Sequence, residues 1–379
     1  MTKSRRLAAA ALLLAVAACV STRPAPNAAG VRRGPWLGLV GTDRFRVAWE
    51  TEEAAPTLLR WGEEPGCPFA VEDAAPAARH EATVTGLRPG AGYWYRIGNG
   101  EAFEVRTRPE ASSKARFAVV GDTHSTDGVH ARIVREILAE APDFVVHTGD
   151  LSLRLGKREG GGEAEFFRVE APLLRSLPFF PVAGNHDGDG ARFVELFVEP
   201  REAGHLTYYL ETWGPVALVA LDSNEPFDRR SDQGRWLART LEELDHAPAV
   251  RFRVVAMHWG PYDSGSAHGP NVEARHSLLP LFEEHGVDLV LSGHDHVYER
   301  SSAGGVRYVM TGGGGGGARK RHAVLGGPYT EAGSPSFHHV LVEADDRELR
   351  LTAREARSGK LLDELRIPAR GARPPGGDD

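Results

Sequence analysis

Five hydrophobic runs in the central part of the chain each lead directly into metal-binding residue types. Runs of three to five apolar residues bounded by turn residues predict short buried β-strands, so the polar residues that follow belong to loops at strand ends. The runs cover 117–120, 144–146, 179–183, 254–256 and 289–291. The polar segments contain Asp122 and His124, then Asp150, then Asn185, His186 and Asp187, then His258, and finally His294, Asp295 and His296.

Helical periodicity appears between these runs. Val129, Ile133 and Ile137 recur at four-residue steps and predict one apolar helix face. Strands that alternate with helices predict a layered α/β domain with central β-sheets flanked by helices. The loops beyond the carboxyl ends of parallel strands form the ligand crevice, so the polar segments are expected to converge there. Two further helices are outlined by Trp236, Leu237, Leu241 and Leu244, and by Leu278, Leu279 and Phe282.

Residues 34–108 carry a different pattern, with strand alternation and no helical period. This indicates a small all-β sandwich domain, joined by a linker at 109–114 to the larger α/β domain at 115–368, with a disordered tail at 369–379. Phe45, Val47 and Trp49 alternate along one predicted strand, and Leu59 and Trp61 along another. Trp49, Trp61 and Tyr95 are interpreted as core residues, the alternative being a carbohydrate-binding surface.

The chain opens with a pattern typical of export. Basic residues precede an apolar stretch at 7–18 that is too short to span a bilayer, which predicts a signal peptide at 1–18. The tetrapeptide ending at Cys19 resembles the lipobox of bacterial lipoproteins, in which this cysteine is lipidated, and 19–33 then forms a tether. We therefore expect an exported, membrane-anchored lipoprotein of the bacterial cell envelope. The alternative is an ordinary signal peptide cut near Ala18, with Cys19 incidental.

Composition narrows the choice of partners. The formal net charge of −7 becomes more negative once the basic leader is removed, which argues against nucleic acid as a partner. The only cysteine besides Cys19 is Cys67, so lipidation of Cys19 leaves no intrachain disulfide. Oxygen ligands mixed with imidazole suit Fe, Mn, Zn or Ni better than Ca. The sequence leaves the oligomeric state open.

The order and identity of the five polar segments, from about residue 116 to 367, resemble the calcineurin-like metallophosphoesterases. The resemblance implies a phosphate ester substrate and two divalent or mixed-valence transition metal ions. A hydroxide bridging the ions would attack a phosphomonoester or phosphodiester. The implied ligands are Asp122, His124 and His296 for one ion, Asn185, His258 and His294 for the other, and Asp150 as the bridge.

His186 follows the ligand Asn185, and the resemblance implies that it is the general acid that protonates the leaving oxygen. Asp187 is expected to orient it. The alternative for His186 is a further metal ligand or a structural histidine.

The β domain resembles the fibronectin type III-like domain that precedes the catalytic domain of purple acid phosphatases, with a tyrosine corner after Leu87. The loop containing His268 also resembles these phosphatases, so His268 either touches substrate or is an exposed loop histidine. Two positions depart from their pattern, because Leu153 stands where they carry a tyrosinate ligand and His124 where they carry a residue other than histidine. A ferric tyrosinate centre is therefore not expected.

Three other features receive structural interpretations. His147 is expected to be a buried, hydrogen-bonded residue, and Asp222 either resembles a family strand end or caps a local turn. The glycine run 312–317 lacks a following Gly-Lys-Ser/Thr and is interpreted as backbone freedom beside a crowded centre. The competing function is a lipoprotein adhesion or scaffold module with an inactive phosphatase fold.

Overall fold

The computed structural model describes residues 30–110, 112–124, 128–153, 155, 162–187, 191–197, 207–264, 268–317 and 326–370. The predicted signal peptide and Cys19 lie outside these ranges. Among the described residues, no helix is both long and apolar enough to cross a membrane. The helices are α1 (Val129–Ala139), α2 (Gly162–Leu174), α3 (Ala191–Phe197), α4 (Asp232–Asp245) and α5 (Val272–Glu284).

Eighteen strands are described, and they form three sheets. The strands are β1 (Val31–Val40), β2 (Arg44–Gly62), β3 (Phe69–Thr85), β4 (Gly92–Ile97), β5 (Phe103–Arg106), β6 (Ala115–Val120), β7 (Phe144–His147), β8 (Phe179–Pro181), β9 (Tyr209–Trp213), β10 (Val216–Ala220), β11 (Phe252–Ala256), β12 (Leu289–Ser292), β13 (Tyr298–Ala303), β14 (Val306–Thr311), β15 (Thr330–Ser334), β16 (His338–Ala344), β17 (Glu348–Glu355) and β18 (Leu361–Pro368).

Two of the sheets pack face to face and form the middle of the α/β region. One has the order β18-β17-β16-β6-β7-β8, and the other has the order β15-β13-β14-β12-β11-β10-β9. Strands β6, β7 and β8 run parallel, as do β10, β11, β12 and β14. Helices α1, α2 and α3 cover the outer face of the first sheet, and α4 and α5 cover that of the second.

Alternation along the strands produces this layering, because successive side chains of a strand point to opposite faces. In β6, Val119 packs into the core between the sheets, while Ala118 and Val120 pack against the helices. In β11, Val254 packs inward and Val255 outward. Both faces are apolar, which is why these strands read as continuous hydrophobic runs.

The predicted layered α/β fold is confirmed, and each of the five hydrophobic runs overlaps a strand, namely β6, β7, β8, β11 or β12. The three predicted helices are α1, α4 and α5, although Trp236 and Leu279 are only partly buried. Strand β8 ends at Pro181, two residues earlier than the hydrophobic run.

The N-terminal all-β region consists of β1 to β5. Strand β2 is 19 residues long and pairs with β1, β3 and β4. Phe45, Val47, Trp49 and Leu59 lie in its core, and Trp61 packs against that core while partly buried. The buried Tyr93 accepts a hydrogen bond from the backbone N–H of Arg88 at 2.9 Å, as expected of a tyrosine corner. The fibronectin type III resemblance and the domain boundaries stay predictions.

Side chains of the all-β region bind the α/β region at several points. The Trp36 indole donates a hydrogen bond to the Leu196 carbonyl of α3 at 3.0 Å, and the Tyr95 hydroxyl donates one to the Arg175 carbonyl at 2.6 Å. Arg192 of α3 also donates to Glu50 of β2 at 3.0 Å and to Glu163 of α2 at 2.7 Å. The two regions therefore share buried polar contacts as well as apolar ones.

Candidate metal centre

The five predicted ligand segments meet where the carboxyl ends of strands from both sheets adjoin. Asp122 follows β6, Asp150 follows β7 and Asn185 follows β8 in one sheet. His258 follows β11 and His294 follows β12 in the other sheet. The crevice therefore lies at the junction of two sheets, rather than at the edge of a single open sheet.

The first cluster consists of Asp122, His124 and His296. Each residue offers one ligand atom, and these atoms all lie within 4.8 Å of one another. The His296 Nε2 atom is 3.5 Å from Asp122 Oδ1, and the rings of His124 and His296 have centroids 5.0 Å apart. One carboxylate and two imidazoles at this spacing form a donor set that suits a transition metal.

The second cluster consists of Asn185, His258 and His294. Asn185 Oδ1 lies 3.0 Å from both His258 Nε2 and His294 Nδ1, and those two nitrogens are 3.2 Å apart. His258 Nδ1 donates a hydrogen bond to the Thr148 carbonyl at 2.8 Å. This bond occupies Nδ1 and leaves Nε2 as the nitrogen that faces the cluster, where it would bind a metal ion once it is deprotonated.

Asp150 lies between the clusters and presents one oxygen to each. Its Oδ1 atom is 3.4 Å from His258 Nε2, and its Oδ2 atom is 3.9 Å from His124 Nε2. A carboxylate with one oxygen toward each donor set is arranged to bridge two cations.

The hydrogen bonding and electrostatics of these residues fit bound cations. Asp122 Oδ1 and His124 Nε2 are buried, and neither has a hydrogen-bond partner among the described residues. Burial alone would lower the pKa of His258, but the nearby Asp150 carboxylate outweighs it and raises that pKa to about 9. Burial, together with the charge of His258, lowers the pKa of His294 to about 4. Buried polar atoms without partners, such as Asp122 Oδ1 and His124 Nε2, are costly unless a cation joins them.

The backbone at this centre adopts uncommon conformations. Asp122, Asp150 and His294 have φ values of 57°, 54° and 76°, in the left-handed region that non-glycine residues rarely occupy. Among the described residues, only two other non-glycine positions, Cys67 and Ala141, have positive φ. Such conformations persist only where surrounding contacts hold them, and they concentrate at functional sites.

Glycines let the backbone approach the ligands. A Cβ atom on Gly149 would lie 2.6 Å from His258 Nδ1, and one on Gly316 would lie 2.8 Å from His124 Cε1. The Gly316 N–H also donates to the Asp122 carbonyl at 2.6 Å. The glycine run at 312–317 therefore packs against the centre, as the sequence predicted.

His186 lies beside the bridging Asp150 and is more exposed than most of the ligands. Its side chain is 45% exposed, against 6% for His124 and 1% for His258. The His186 backbone N–H donates to Asp150 Oδ1 at 2.8 Å, and its Nε2 is 3.9 Å from Asp150 Oδ2. The ring can therefore reach a molecule bound at the mouth of the centre.

Asp187 has a different partner from the one that the sequence suggested. Its buried carboxylate accepts hydrogen bonds from the backbone N–H groups of Gly184 at 2.8 Å, Asp150 at 2.9 Å and Leu151 at 3.0 Å. Burial and the negative charge of Asp150 raise the pKa of Asp187 to about 8, and the N–H groups oppose that shift. Asp187 thus orients the Asp150 loop, where orientation of His186 was expected.

Sequence reasoning missed Ser223 and Thr148, which position His258. The Ser223 hydroxyl accepts hydrogen bonds from the backbone N–H groups of His258 and Trp259, both at 3.0 Å. Neither Ser223 nor Thr148 belongs to a recognisable motif. Asp222, for which two interpretations were open, accepts a hydrogen bond from the Asn224 N–H at 2.8 Å and so caps a local turn.

His268 borders the second cluster. Its Nδ1 atom lies 2.6 Å from the Asp295 carboxylate, and its ring centroid is 4.2 Å from that of His294. The His268 side chain is 46% exposed. It is therefore both an exposed loop histidine and a neighbour of the centre.

Tyrosines near the centre have other partners. Leu153, at the position of the tyrosinate in purple acid phosphatases, is 52% exposed. The Tyr298 hydroxyl donates to Asp363 at 2.7 Å, and Tyr262 packs against Tyr308 and Tyr329. These positions give no phenolate ligand to either cluster.

Comparisons with known proteins agree with this geometry. Residues 115–298 match the family model described as calcineurin-like phosphoesterase. Purple acid phosphatase 22 of Arabidopsis thaliana is 28% identical over 290 residues, which cover 70% of this chain and 65% of that protein. Acid phosphatase type 7 of Homo sapiens is 27% identical over 248 residues, which cover 58% of this chain and 56% of that protein.

Solved structures share the fold. The purple acid phosphatase PPD1 from yellow lupin seeds superposes with a TM-score of 0.73 at 19% identity, over 88% of this chain and 74% of that chain. A structure of PhoD superposes with a TM-score of 0.65 at 13% identity, over 91% of this chain and 90% of that chain.

Proposed function

We propose, from the premise that residues 115–298 form a calcineurin-like phosphoesterase domain homologous to purple acid phosphatases, that this chain is an exported dinuclear-metal phosphohydrolase. Its substrates would be phosphomonoesters or phosphodiesters. The homology supports a metal-dependent phosphatase, and the donor sets support two transition metal ions, Fe, Mn, Zn or Ni.

One observation carries the proposal. Asp150 directs its two oxygens at two separate donor sets, with His258 Nε2 at 3.4 Å on one side and His124 Nε2 at 3.9 Å on the other. A carboxylate shared by two clusters of neutral and anionic donors is suited to hold two cations close enough to act on one phosphoryl group.

In this proposal each residue has a defined task. When bound, two transition metal ions would supply positive charge for the phosphoryl oxygens and would lower the pKa of a water molecule. Asp122, His124 and His296 would hold one ion, Asn185, His258 and His294 the other, and Asp150 both. His186 would give its proton to the leaving oxygen, a role supported by its exposed ring beside Asp150. His268, next to His294, would contact the substrate phosphate.

The decisive experiment combines metal analysis with a change at the bridge. The purified protein should contain two transition metals and hydrolyse chromogenic phosphate esters. Asp150→Ala should lose both metals and nearly all activity. Asp288→Ala is the matched control, because Asp288 is a partly buried carboxylate at the amino end of β12, whereas the ligand His294 follows the carboxyl end of that strand. Asp288 accepts a hydrogen bond from the Arg253 N–H at 2.8 Å. Full activity after exhaustive chelation, or one tightly bound Ca, would refute the proposal.

Substrate class is tested separately, because specificity depends on loops around the centre. Rates over nucleotides, sugar phosphates, phospholipid headgroups and diesters would rank the classes. The competing adhesion or scaffold function predicts binding through the all-β region without turnover of any ester. Retention of all seven ligand residues within one crevice weighs against that alternative.

Attachment to a membrane is part of the proposal and rests on the lipobox-like tetrapeptide at residues 16–19, whose last residue is Cys19. Labelled fatty acid should enter the wild-type protein, and Cys19→Ser should abolish the labelling. A soluble wild-type protein that takes up no label would contradict the anchor and leave the hydrolase proposal intact.

A further inference from the structure

His147 lies in a buried hydrogen-bond chain behind the centre. It is the last residue of β7 and is fully buried. Its Nδ1 atom accepts a hydrogen bond from the Gly149 N–H at 3.2 Å, and its Nε2 atom lies 3.0 Å from the Thr123 hydroxyl. That hydroxyl donates in turn to the Leu151 carbonyl at 3.0 Å.

The donor and the acceptor of each bond in this hydrogen-bond chain follow from the groups at its two ends. A backbone N–H can only donate, so Nδ1 of His147 must be the acceptor, and the ring proton must lie on Nε2. The carbonyl of Leu151 can only accept, so the Thr123 hydroxyl donates to it and accepts from Nε2. One neutral tautomer of His147 therefore satisfies the whole chain, and the other would place two donors against each other.

The chain joins two loops that carry predicted ligands. Thr123 stands between Asp122 and His124, and Gly149 directly precedes Asp150. Two backbone hydrogen bonds run beside it, from Asp122 N to the Gly149 carbonyl at 2.9 Å and from Thr123 N to the Asp150 carbonyl at 3.2 Å.

The support is unequal for the two clusters. His258 of the second cluster is held by Thr148 and Ser223, and the Asp150 loop is held by Asp187. His124 Nε2 has no hydrogen-bond partner among the described residues. The His124 ring contacts the rings of His186 and His296, with centroids 5.4 and 5.0 Å away. The backbone that carries the ring follows directly from Thr123, whose hydroxyl is bonded to His147 and Leu151.

We propose that His147 and Thr123 are positioning residues that set the metal affinity of the first cluster selectively. This inference rests on the proposed dinuclear function. Loss of the Thr123 hydroxyl should weaken the ion held by Asp122, His124 and His296, and spare the ion held by Asn185, His258 and His294. Partners of this kind behind metal ligands typically contribute about 10–100-fold in affinity.

The test uses Thr123→Val, which removes the hydroxyl at nearly constant shape, and Thr123→Ser, which keeps it. Thr57→Val is the matched control, because its hydroxyl also lies 3.0 Å from a buried histidine, His80, in the all-β region. Chelated protein is titrated with Co²⁺ by calorimetry and visible absorption. Reference variants His124→Ala and His294→Ala assign the two binding steps to the two clusters.

Thr123→Val should weaken the first-cluster step about 10–100-fold and leave the other within about threefold, while Thr123→Ser and Thr57→Val leave both steps unchanged. Equal weakening of both steps, or none, would overturn the inference. Nitrogen NMR of wild-type protein gives a second test that needs no variant, since a proton on His147 Nδ1 would also overturn it. Wild-type protein that binds no metal would instead refute the proposed function.

Discussion

Asp187 offers the sharpest test of how the centre is held together. Its carboxylate accepts three hydrogen bonds, from the backbone N–H groups of Gly184, Asp150 and Leu151, and an N–H group can only donate. Asp187→Asn keeps the shape but replaces one oxygen with an NH₂ group. The least harmful orientation keeps the two bonds at Oδ2, and it places the NH₂ group against the Leu151 N–H.

The expected magnitude follows from this count. Above the pKa of about 8 that burial and Asp150 give to Asp187, its carboxylate is charged. A hydrogen bond to a charged group contributes about 1.5–3 kcal/mol, so at that pH losing one bond and weakening two should cost about 3 kcal/mol. The Asp150 backbone at φ 54° depends on these bonds, because the left-handed conformation is itself unfavourable for aspartate. If the loop relaxes in the metal-free protein, affinity for the bridged ions should fall up to about 100-fold.

Competition with a chelator of known affinity would measure this loss for both ions. Asp288→Asn is the control, because Asp288 also accepts a backbone hydrogen bond, from Arg253, but touches neither cluster. Metal affinity within about threefold of wild type would refute the reasoning. If in addition only esters with poor leaving groups were hydrolysed more slowly, Asp187 would act on His186, as the sequence first suggested.

Three further predictions concern other parts of the molecule. His186→Ala should keep both metals and lose about 10²–10⁴-fold in rate on alkyl phosphates but little on nitrophenyl phosphate, and equal losses would contradict an acid role. Iron-loaded protein should be nearly colourless, because the exposed Leu153 stands where a tyrosinate would bind ferric iron and has no phenolate. An intense violet band would contradict this. Burial lowers the pKa of His338 to about 4 in the folded protein, from about 6.5 in the unfolded chain. The stability that the neutral, buried His338 contributes is therefore complete above pH ~6.5 and is lost as the pH falls toward 4. Urea unfolding should therefore show the wild type losing about 3 kcal/mol more than His338→Gln over that range, and parallel losses would contradict the shift.

The parts of the fold that follow a period could be predicted from the sequence. Apolar runs gave β6, β7, β8, β11 and β12, and four-residue steps gave α1. Their positions at strand ends predicted that the polar segments converge, and the assignment of individual ligands came from the resemblance to calcineurin-like metallophosphoesterases. Helices α2 and α3 were not predicted, because Pro172 interrupts the pattern of one and the other has only seven residues.

The features that could not be predicted from the sequence depend on contacts between distant segments. Hydrophobic periodicity does not state how many sheets the strands form, so the junction of two sheets appears only in the structure. The bond between Thr123 and His147 joins residues 24 positions apart, and the bonds of Asp187 to the Asp150 loop join residues 36 and 37 apart. No local pattern marks such partners, whose roles depend on which loops the fold brings together.

The contacts of α3 with the all-β region limit how modular this molecule can be. Arg192 of α3 donates hydrogen bonds to both Glu50 of β2 and Glu163 of α2, and the Trp36 indole donates one to the carbonyl of Leu196. Removing the all-β region would take Glu50 away from Arg192, which would keep Glu163 and Glu195, and would expose the apolar surface under Trp36. Because α3 begins four residues after Asp187, the damage would lie next to the ligand loop. We therefore expect one cooperative unfolding transition, and a catalytic region that cannot be transplanted alone.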